Sequence, residues 1–477
     1  MKNLSKVFVV LSFICFFSNM KAQKYYDDQW KKISENYQKG QFKSNLPLIL
    51  EIQNHAVKEQ NTIQLLKSLK ADFSIVNRTA DDAKNDAASK FFNKIQSIGQ
   101  GLKGEGKLAY QVLLGGFLSD YYSENSWKIN RRTNIINQDM TQIETWSKMD
   151  FKKYLGEHFE ELSKQDLALQ KIDLSKYAEI FQDSSNLNYF PTLYDYKSVQ
   201  WIDYLKNSAF FTKNELSENQ LKISSIYEVL INKNLGNSKL YFQHLKLADE
   251  CGFAKCKNKN DQLINFYNSS TEGEYKVIIA QNIIAELQAN QKYEEALSWI
   301  EKVKKAYPKS DFLNNIKNQE NQILQPTISV KYETFVLPNQ PIHLVTEYKN
   351  AKQFSLNIYE VKDDYEGFLK YSFNSWDAAN YILLSKSLVR NETFDLPTAN
   401  DYKNHKTSFE IKPLHSGIYI AEYLVENEVR DKFYFIATSS RVISQNKNER
   451  SFSSNKFLLV DRKNGQVIPA ENLEFYE

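Results

Sequence analysis

The stretch Pro326-Thr-Ile328-Ser-Val330-Lys-Tyr332 marks a change in the hydrophobic period of this sequence. Upstream, over residues 23–325, apolar residues return every three or four positions, which is typical of amphipathic helices. From Ile328 onward they alternate with polar residues, which is typical of strands with one buried face. The sequence therefore predicts an all-helical region followed by a region of strands.

Length and composition are those of a folded, multidomain protein. The chain has 477 residues and a mass of 55.8 kDa, which suggests about three domains. Hydrophobic residues make up 42% of it, enough to form large cores and to exclude general disorder. Only 14 Gly and 9 Pro are present, which favours long helices. We therefore predict a multidomain α plus β protein.

The best-defined helical pair lies directly before the change of period. One helix is predicted over residues 275–291, and a second starts at Tyr293 and stops before Pro308. Tyr293, Ala296 and Pro308 resemble the second helix of a tetratricopeptide (TPR) repeat, in which a small residue lets the paired helix approach closely. Ile284 departs from that pattern. Residues 23–325 are therefore predicted to form a TPR-like region rather than a regular array.

The strand region is predicted to form an antiparallel β-sandwich over residues 326–443, because short alternating runs follow one another with no helix between them. Gly417 is predicted to lie in a turn between two of these strands. Residues 444–477 are predicted to contain a polar linker and the first strands of a second, incomplete sandwich, with a return strand at 473–475. Two strands alone cannot bury a sheet face.

Residues 1–22 have the pattern of a cleaved secretory signal peptide. Lys2 and Lys6 precede an eleven-residue apolar run, and cleavage is predicted near Ala22. The run is too short for a membrane anchor, which needs about 20 apolar residues. Removing residues 1–22 lowers the formal net charge from +3 to zero, because three lysines and no acids leave. We therefore expect an exported protein, periplasmic or at the cell surface, that does not bind nucleic acid.

Two cysteines, Cys251 and Cys256, remain after removal of the signal peptide. Export would permit a disulfide between them. On one continuous helix, however, five residues rise about 7.5 Å, which is too far for a bridge. A bridge therefore requires the helix to break, with Gly252 as the expected position, and free thiols are the alternative. No second pair of Cys or His lies nearby at the spacing of a zinc site.

The motifs that would indicate catalysis or cofactor binding are absent or lack their context. The cluster Gly99, Gly101, Gly104 and Gly106 before Lys107 matches phosphate-binding spacings. It follows a predicted helix rather than a strand, and the hydroxyl residue that would contact magnesium is missing, so a joint between two helices is the better interpretation. No G-x-S-x-G elbow and no H-E-x-x-H motif occur. We predict no catalytic, cofactor-binding or metal-binding residue.

Four blocks of sequence, in order, resemble bacterial alpha-2-macroglobulin-like proteins. Two resemble the helical amino-terminal region of that family, one resembles its first macroglobulin-type (MG) sandwich, and one resembles the opening of the next sandwich. The blocks are Ala109 to Thr133, with Asp120-Tyr-Tyr122, Asn125-Ser-Trp127-Lys-Ile129 and Arg132-Thr133; Pro191-Thr-Leu-Tyr194-Asp195 with Trp201-Ile-Asp203-Tyr204-Leu205; Leu337-Pro338-Asn339-Gln340 with Asn400-Asp401-Tyr402 and Leu414-His-Ser-Gly417-Ile-Tyr419; and Val460-Asp461-Arg462-Lys-Asn464-Gly465-Gln-Val-Ile-Pro469.

The resemblance implies a large exported protease trap, which closes when a protease cleaves its bait segment. In many members of the family, a buried thioester then captures the protease. The thioester motif Cys-x-Glu-Gln does not occur in this chain. We therefore expect a non-enzymatic amino-terminal portion of such an endopeptidase inhibitor, with proteases or envelope proteins as partners. Ala296, Pro308 and Gly417 are its expected structural residues. The alternative is an exported TPR-like adaptor that binds a peptide or an envelope protein on its concave helical surface.

Overall fold

The computed structural model describes residues 23–79, 86–135, 138–181, 187–254, 256, 258–361, 368, 388–444 and 457–469. The predicted signal peptide, nearly all of the predicted linker after Ser444, and the predicted return strand at 473–475 lie outside these residues.

Helices occupy the described chain up to residue 324, and strands follow from residue 327, which confirms the predicted α plus β class. Short 3-10 helices connect some of the α-helices. The α-helices are α1 (residues 23–38), α2 (Asn45–Lys58), α3 (Thr62–Thr79), α4 (Ala87–Gly101), α5 (Gly104–Ile129), α6 (Lys148–Ser163), α7 (Asp166–Leu169), α8 (Ala178–Phe181), α9 (Leu193–Lys206), α10 (Lys213–Lys233), α11 (Gly236–Ala254), α12 (Lys259–Ser269), α13 (Lys276–Ala289), α14 (Tyr293–Ala306) and α15 (Leu313–Leu324).

The chain forms two compact units. The first contains Met1–Lys259 and Ser269–Lys276, and the second contains Asn260–Asn268 and Val277–Glu477. The change from helix to strand near Pro326 therefore does not coincide with the division between the units, because helices α13 to α15 and most of α12 belong with the strands.

Within the first unit, α5 is the central helix. It is 26 residues long, about 39 Å, and packs against α3, α4, α6 and α9. Its apolar residues occupy consecutive positions, so side chains are buried on all sides of the helix, as expected for a helix surrounded by others. The buried run includes Val112, Leu113, Leu114, Phe117 and Leu118.

Three later helices of this unit begin with capping boxes, in which an acid at the third position accepts a hydrogen bond from the backbone N–H of the N-cap residue. The pairs are Ser147 and Asp150 on α6, Thr192 and Asp195 on α9, and Thr212 and Glu215 on α10.

In the second unit, direct contacts connect the last helix to the strands. The Asn350 amide follows the third strand of the unit and donates to the backbone carbonyls of Ile323 (2.7 Å) and Leu324 (3.0 Å) at the end of α15. These carbonyls have no partner within the helix, so the strand region supplies the C-terminal cap of α15. This explains why α15 belongs to the same unit as the strands.

The strands form three sheets. One has the order β1-β3-β6, a second β2-β8-β7-β4-β5, and a third β10-β9. Strand β2 pairs with β8 in parallel, so the predicted wholly antiparallel arrangement is wrong at this edge. The strands are β1 (Thr327–Lys331), β2 (Phe335–Val336), β3 (Ile342–Lys349), β4 (Gln353–Val361), β5 (Leu388–Asp395), β6 (His405–Ile411), β7 (Gly417–Val425), β8 (Glu428–Ala437), β9 (Ser440–Ser444) and β10 (Phe457–Asp461).

A single hydrophobic core joins the first two sheets. Leu344 on β3 contributes to it from one sheet, and Leu356 on β4 and Phe435 on β8 contribute from the other. All three side chains are essentially buried. Along β3 the buried positions alternate with more exposed ones, as the sequence pattern predicts for a strand with one covered face.

The two-stranded sheet β9-β10 pairs residues on both sides of the predicted linker. Ser444 lies opposite Phe457, so the predicted boundary between residues 443 and 444 falls inside β9. Strand β10 then ends in the predicted turn, in which the Asp461 carboxylate accepts from the backbone N–H of Lys463 (2.7 Å) and Asn464 (3.1 Å). The strand that pairs with β10 is β9, which precedes the linker in the sequence.

Candidate functional site

The glycine cluster joins two helices. Helix α4 ends at Gly101 and α5 begins at Gly104, which has a positive φ of 56°. The Lys107 ammonium donates a hydrogen bond to the Gly99 carbonyl, which is the role of a helix C-cap rather than of a phosphate-binding lysine. A Cβ added at Gly99 would lie 2.3 Å from the Tyr110 ring. Gly99 therefore serves close helix packing, whereas a Cβ added at Gly101 or Gly104 would meet nothing within 4 Å.

In the first block, Arg132 has a structural role. Its guanidinium donates to the carbonyl of the fully buried Trp146 at 2.7 Å, so it fastens the end of α5 to the segment before α6. Burial lowers the pKa of Arg132, and nearby Glu144 opposes that effect. Trp127 is 59% exposed, with Lys128 and Arg131 beside its ring.

In the second block, Asp195 links two helices. One carboxylate oxygen accepts from the backbone N–H (2.8 Å) and the hydroxyl (2.7 Å) of Thr192. The other accepts from the Asn234 amide at 2.8 Å, at the end of α10. Asp195 is only 2% exposed, and burial raises its pKa while the hydrogen bonds oppose that rise. Its charge therefore connects α9 to α10.

In the third block, Gly417 begins strand β7 and pairs with Ala437 on β8, so its predicted position in a turn is wrong. Space at this position is limited, because an added Cβ would lie 3.3 Å from the ring of Tyr419. The buried Tyr419 hydroxyl donates to the His415 carbonyl at 3.0 Å, and the His415 ring contacts Glu360 at 2.8 Å. This network holds the loop before β7.

Cys251 and Cys256 are both thiols in this structure. Cys251 is buried on α11, and burial raises the pKa of its thiol, with Cys256 in hydrogen-bond contact. The helix does not break at Gly252; it ends at Ala254, and the Cys256 backbone N–H donates to the Cys251 carbonyl at 3.1 Å. The end of α11 thus brings the two cysteines together.

Ala296 lies fully buried on α14, and Pro308 follows the end of that helix at Ala306. The preceding helix α13 is buried along much of its length. The turn between the two helices contains Gln291 with a positive φ of 57°. Ala296 and Pro308 therefore occupy a packed helix and its end.

The first unit contains a cavity, which we call the α3–α9 cavity, that lies among α3, α5, α8 and α9 and has a volume of about 490 Å³. Its polar lining includes Lys70, Asn77, Asp120, Glu124 and Gln200. A second cavity of about 260 Å³ adjoins it along α5 and α9 and shares several lining residues with it.

Sequence reasoning missed this cavity. Its polar residues are spaced like the solvated positions of ordinary amphipathic helices, so no motif distinguishes them.

The described residues contain no group of three or more His, Cys, Asp or Glu side chains arranged to hold a metal ion. Among the helices that the structure describes, none is both long enough and apolar enough to span a bilayer.

No family model and no curated protein matches this chain. Among solved structures, it is similar to native alpha-2-macroglobulin from Escherichia coli over domains MG0-NIE-MG1, with 18% identity, a TM-score of 0.23, and coverage of 30% of this chain and 47% of that chain. A fragment spanning NIE-MG1 has 17% identity, a TM-score of 0.25, and coverage of 30% and 74%. The chain thus spans about half the length of the first of these.

A third similar structure is a Pseudomonas fluorescens alkylpurine DNA glycosylase bound to DNA containing an abasic site analog. It has 10% identity and a TM-score of 0.17, with coverage of 87% of this chain and 98% of that chain. TM-scores of 0.17 to 0.25 do not by themselves establish a fold or an activity.

Proposed function

We propose that this chain is the non-enzymatic amino-terminal portion of an exported bacterial alpha-2-macroglobulin-like endopeptidase inhibitor. The observation that supports it is the use of the polar residues in the resembling blocks. Arg132, Asp195 and Tyr419 each make a buried or partly buried hydrogen bond that holds a neighbouring segment in place. Such residues build a scaffold rather than a reaction centre.

The same proposal assigns a role to the last helices, to the three sheets and to the amino-terminal residues. Helices α13 and α14 form a TPR-like pair. The β1-β3-β6 and β2-β8-β7-β4-β5 sheets form a macroglobulin-type sandwich, and β9-β10 begins the next β module. Residues 1–22 direct export and are removed near Ala22.

The test uses the product of the native gene, purified from the producing cells. It is incubated with trypsin, and residual activity is measured on a large protein substrate and on a small chromogenic peptide. A trap encloses the protease without blocking its active site, so hydrolysis of the protein substrate falls while hydrolysis of the peptide continues.

Equal loss on both substrates, or no loss on either, would contradict the trap. Mass spectrometry of the same product tests export, with a mature amino terminus at Gln23 expected. Residues 23–477 expressed alone are the control, and we expect no inhibition because this chain holds no identifiable bait segment.

A second function, an exported adaptor that binds a peptide, is favoured by one observation. The α3–α9 cavity lies wholly within the helical unit and has the volume of an ordinary ligand site. The adaptor predicts that residues 23–477 retain a partner without any further part of the gene product. Pull-down with that chain and with the native product separates the two functions.

A further inference from the structure

We propose that Cys251 and Cys256 form a reversible disulfide by exchange with oxidised glutathione or with the disulfide of an oxidised thiol protein. The site lies at the end of α11, shortly before Lys259, after which the chain passes from the first unit into the second. The inference goes beyond the protease-trap proposal and does not depend on it. It is carried by the geometry of the turn after α11 and by the different exposure of the two thiols.

The turn after α11 brings the two cysteines within bridging distance. On a continuous helix, five residues would rise about 7.5 Å along the axis. Here α11 ends at Ala254, and the Cys256 backbone N–H donates to the Cys251 carbonyl at 3.1 Å. Covalent bond lengths then limit the separation of the two Cα atoms to about 7 Å, which is the upper end of the range that disulfides span.

The side chains also converge, because the two thiols are in hydrogen-bond contact. A bond between their sulfur atoms therefore needs an adjustment of the two side chains and of the turn, and α11 stays intact. The mature chain, residues 23–477, contains no other cysteine. An intramolecular disulfide of this chain can therefore join only Cys251 to Cys256.

The two thiols differ in exposure, which assigns them to different steps of the exchange. Cys256 is partly exposed, whereas Cys251 is buried. Burial raises the pKa of the Cys251 thiol to about 11, so little of it is thiolate near neutral pH. Because exchange needs an accessible thiolate, an oxidant from solution reacts with Cys256 first. Cys251 reacts second, within a contact that already exists.

The exchange has two steps, and both balance. In the first, the Cys256 thiol releases its proton to water and attacks one sulfur of the oxidant, which forms a mixed disulfide and expels a thiolate. In the second, Cys251 releases its proton and attacks the Cys256 sulfur, which expels the remaining thiolate of the oxidant. The two expelled thiolates take up two protons. The cysteines thus lose two electrons and two protons, and the oxidant gains them.

The disulfide would change the end of α11. Helix ends fray, and a cross-link restricts the open conformations of the segment that it closes. The bridge would therefore hold the last turn of α11 at the point where the chain leaves the first unit. Reduction would release that turn.

The first experiment measures the oxidation state of the mature chain directly. Residues 23–477 are equilibrated with oxidised glutathione or with excess dithiothreitol, free thiols are alkylated, and intact mass counts the alkylated cysteines. We expect no alkylated cysteine in oxidised glutathione, two in dithiothreitol, and full return when the oxidised sample is reduced. Peptide mapping should identify the bridge between Cys251 and Cys256 within one chain.

Single variants test the order of attack. In Cys251→Ser, the exposed thiol of Cys256 should form a stable mixed disulfide with oxidised glutathione. In Cys256→Ser, the buried thiol of Cys251 should react at least about tenfold more slowly. The two variants are matched, because each replaces one thiol by a hydroxyl and keeps the other. Circular dichroism melting curves verify that each variant is folded.

Hydrogen exchange measured by mass spectrometry tests the effect on the helix. In the oxidised chain, amides of the last turn of α11 should exchange about tenfold more slowly, or slower still, than in the reduced chain. Amides of α5 should be unchanged. The double variant Cys251→Ser/Cys256→Ser is the control, because its exchange should be the same with and without oxidant.

Several results would overturn the proposal. Two alkylated cysteines after equilibration with oxidised glutathione would show that no bridge forms. A bridge between two chains, or a mixed disulfide at Cys256 that persists in the unmodified sequence, would show that Cys251 does not attack Cys256. Equal reaction rates of the two single variants would refute the order of attack. Each of these results is independent of whether the native product traps a protease.

Discussion

Asp195 gives the sharpest test of the interpretation that the resembling blocks are structural. Its carboxylate accepts three hydrogen bonds, two from Thr192 within its own helix start and one from Asn234 at the end of α10. Asp195→Ala removes the cap and leaves one amide hydrogen of Asn234 without a partner, because the other donates to the Leu230 carbonyl at 2.9 Å.

The magnitude follows from those two losses. A helix cap contributes about 1 kcal/mol, and a buried donor left unsatisfied costs about 2 kcal/mol. We therefore expect Asp195→Ala to lower the free energy of unfolding by about 3 kcal/mol.

Asp150 provides a matched control on α6. Its carboxylate accepts from the backbone N–H (2.8 Å) and the hydroxyl (2.7 Å) of Ser147, the same distances as in the Asp195 box. It lacks a counterpart of Asn234 among the hydrogen bonds of the described residues. Asp150→Ala should therefore cost about 1 kcal/mol, the cap alone.

The assay is urea unfolding followed by far-ultraviolet circular dichroism, with hydrogen exchange of α9 and α10 measured by mass spectrometry to localise the change. A double-mutant cycle with Asn234→Ala isolates the link between the helices, and we expect a coupling of about 1–3 kcal/mol. If Asp195→Ala costs no more than Asp150→Ala, or if the coupling is zero, the link contributes nothing and the structural interpretation of this block is wrong.

Three further predictions concern packing and pH. Gly99→Ala should destabilise the first unit by about 1–3 kcal/mol, because the new Cβ meets the Tyr110 ring at 2.3 Å, whereas Gly101→Ala, with nothing within 4 Å, should not; equal urea midpoints for the two variants would refute this. Ala296→Leu should overpack α14 and cost about 1–3 kcal/mol, so an unchanged melting temperature in calorimetry would show that the site has room. Burial lowers the pKa of His244 from 6.5 to about 4, so the folded state binds fewer protons than the unfolded state across that interval. Stability should therefore fall as pH decreases from about 6.5 to about 4, and His244→Gln should reduce the slope, which urea unfolding at several pH values measures.

Much of the fold could be predicted from local patterns. The helix pair before Pro308 and the alternating strands after Pro326 each follow from the spacing of apolar residues, which reports one buried face without knowledge of the partner. The turn after Asp461 follows from residues that bond to their own backbone. These features depend on neighbours within a few positions, so the sequence is sufficient.

The errors arose where distant residues decide the outcome. Gly417 was predicted in a turn because glycine is common there, but it begins strand β7, where the ring of Tyr419 leaves little space for a side chain. The predicted domain boundary falls inside β9, because the strand that pairs with β9, which is β10, lies on the other side of a polar segment.

The sequence by itself determined the order of helices and strands and the lack of familiar catalytic motifs, because periodicity and motif spacing are local properties of the chain. Only the tertiary structure decided that Asn77 and Gln200, 123 positions apart in sequence, line one cavity, and that Asp195 faces Asn234. Polar residues on amphipathic helices look alike until packing removes some of them from water. Once buried, a hydrogen-bonding group either lacks a partner, which costs free energy, or links two elements by a hydrogen bond. Which groups are buried depends on the assembled fold.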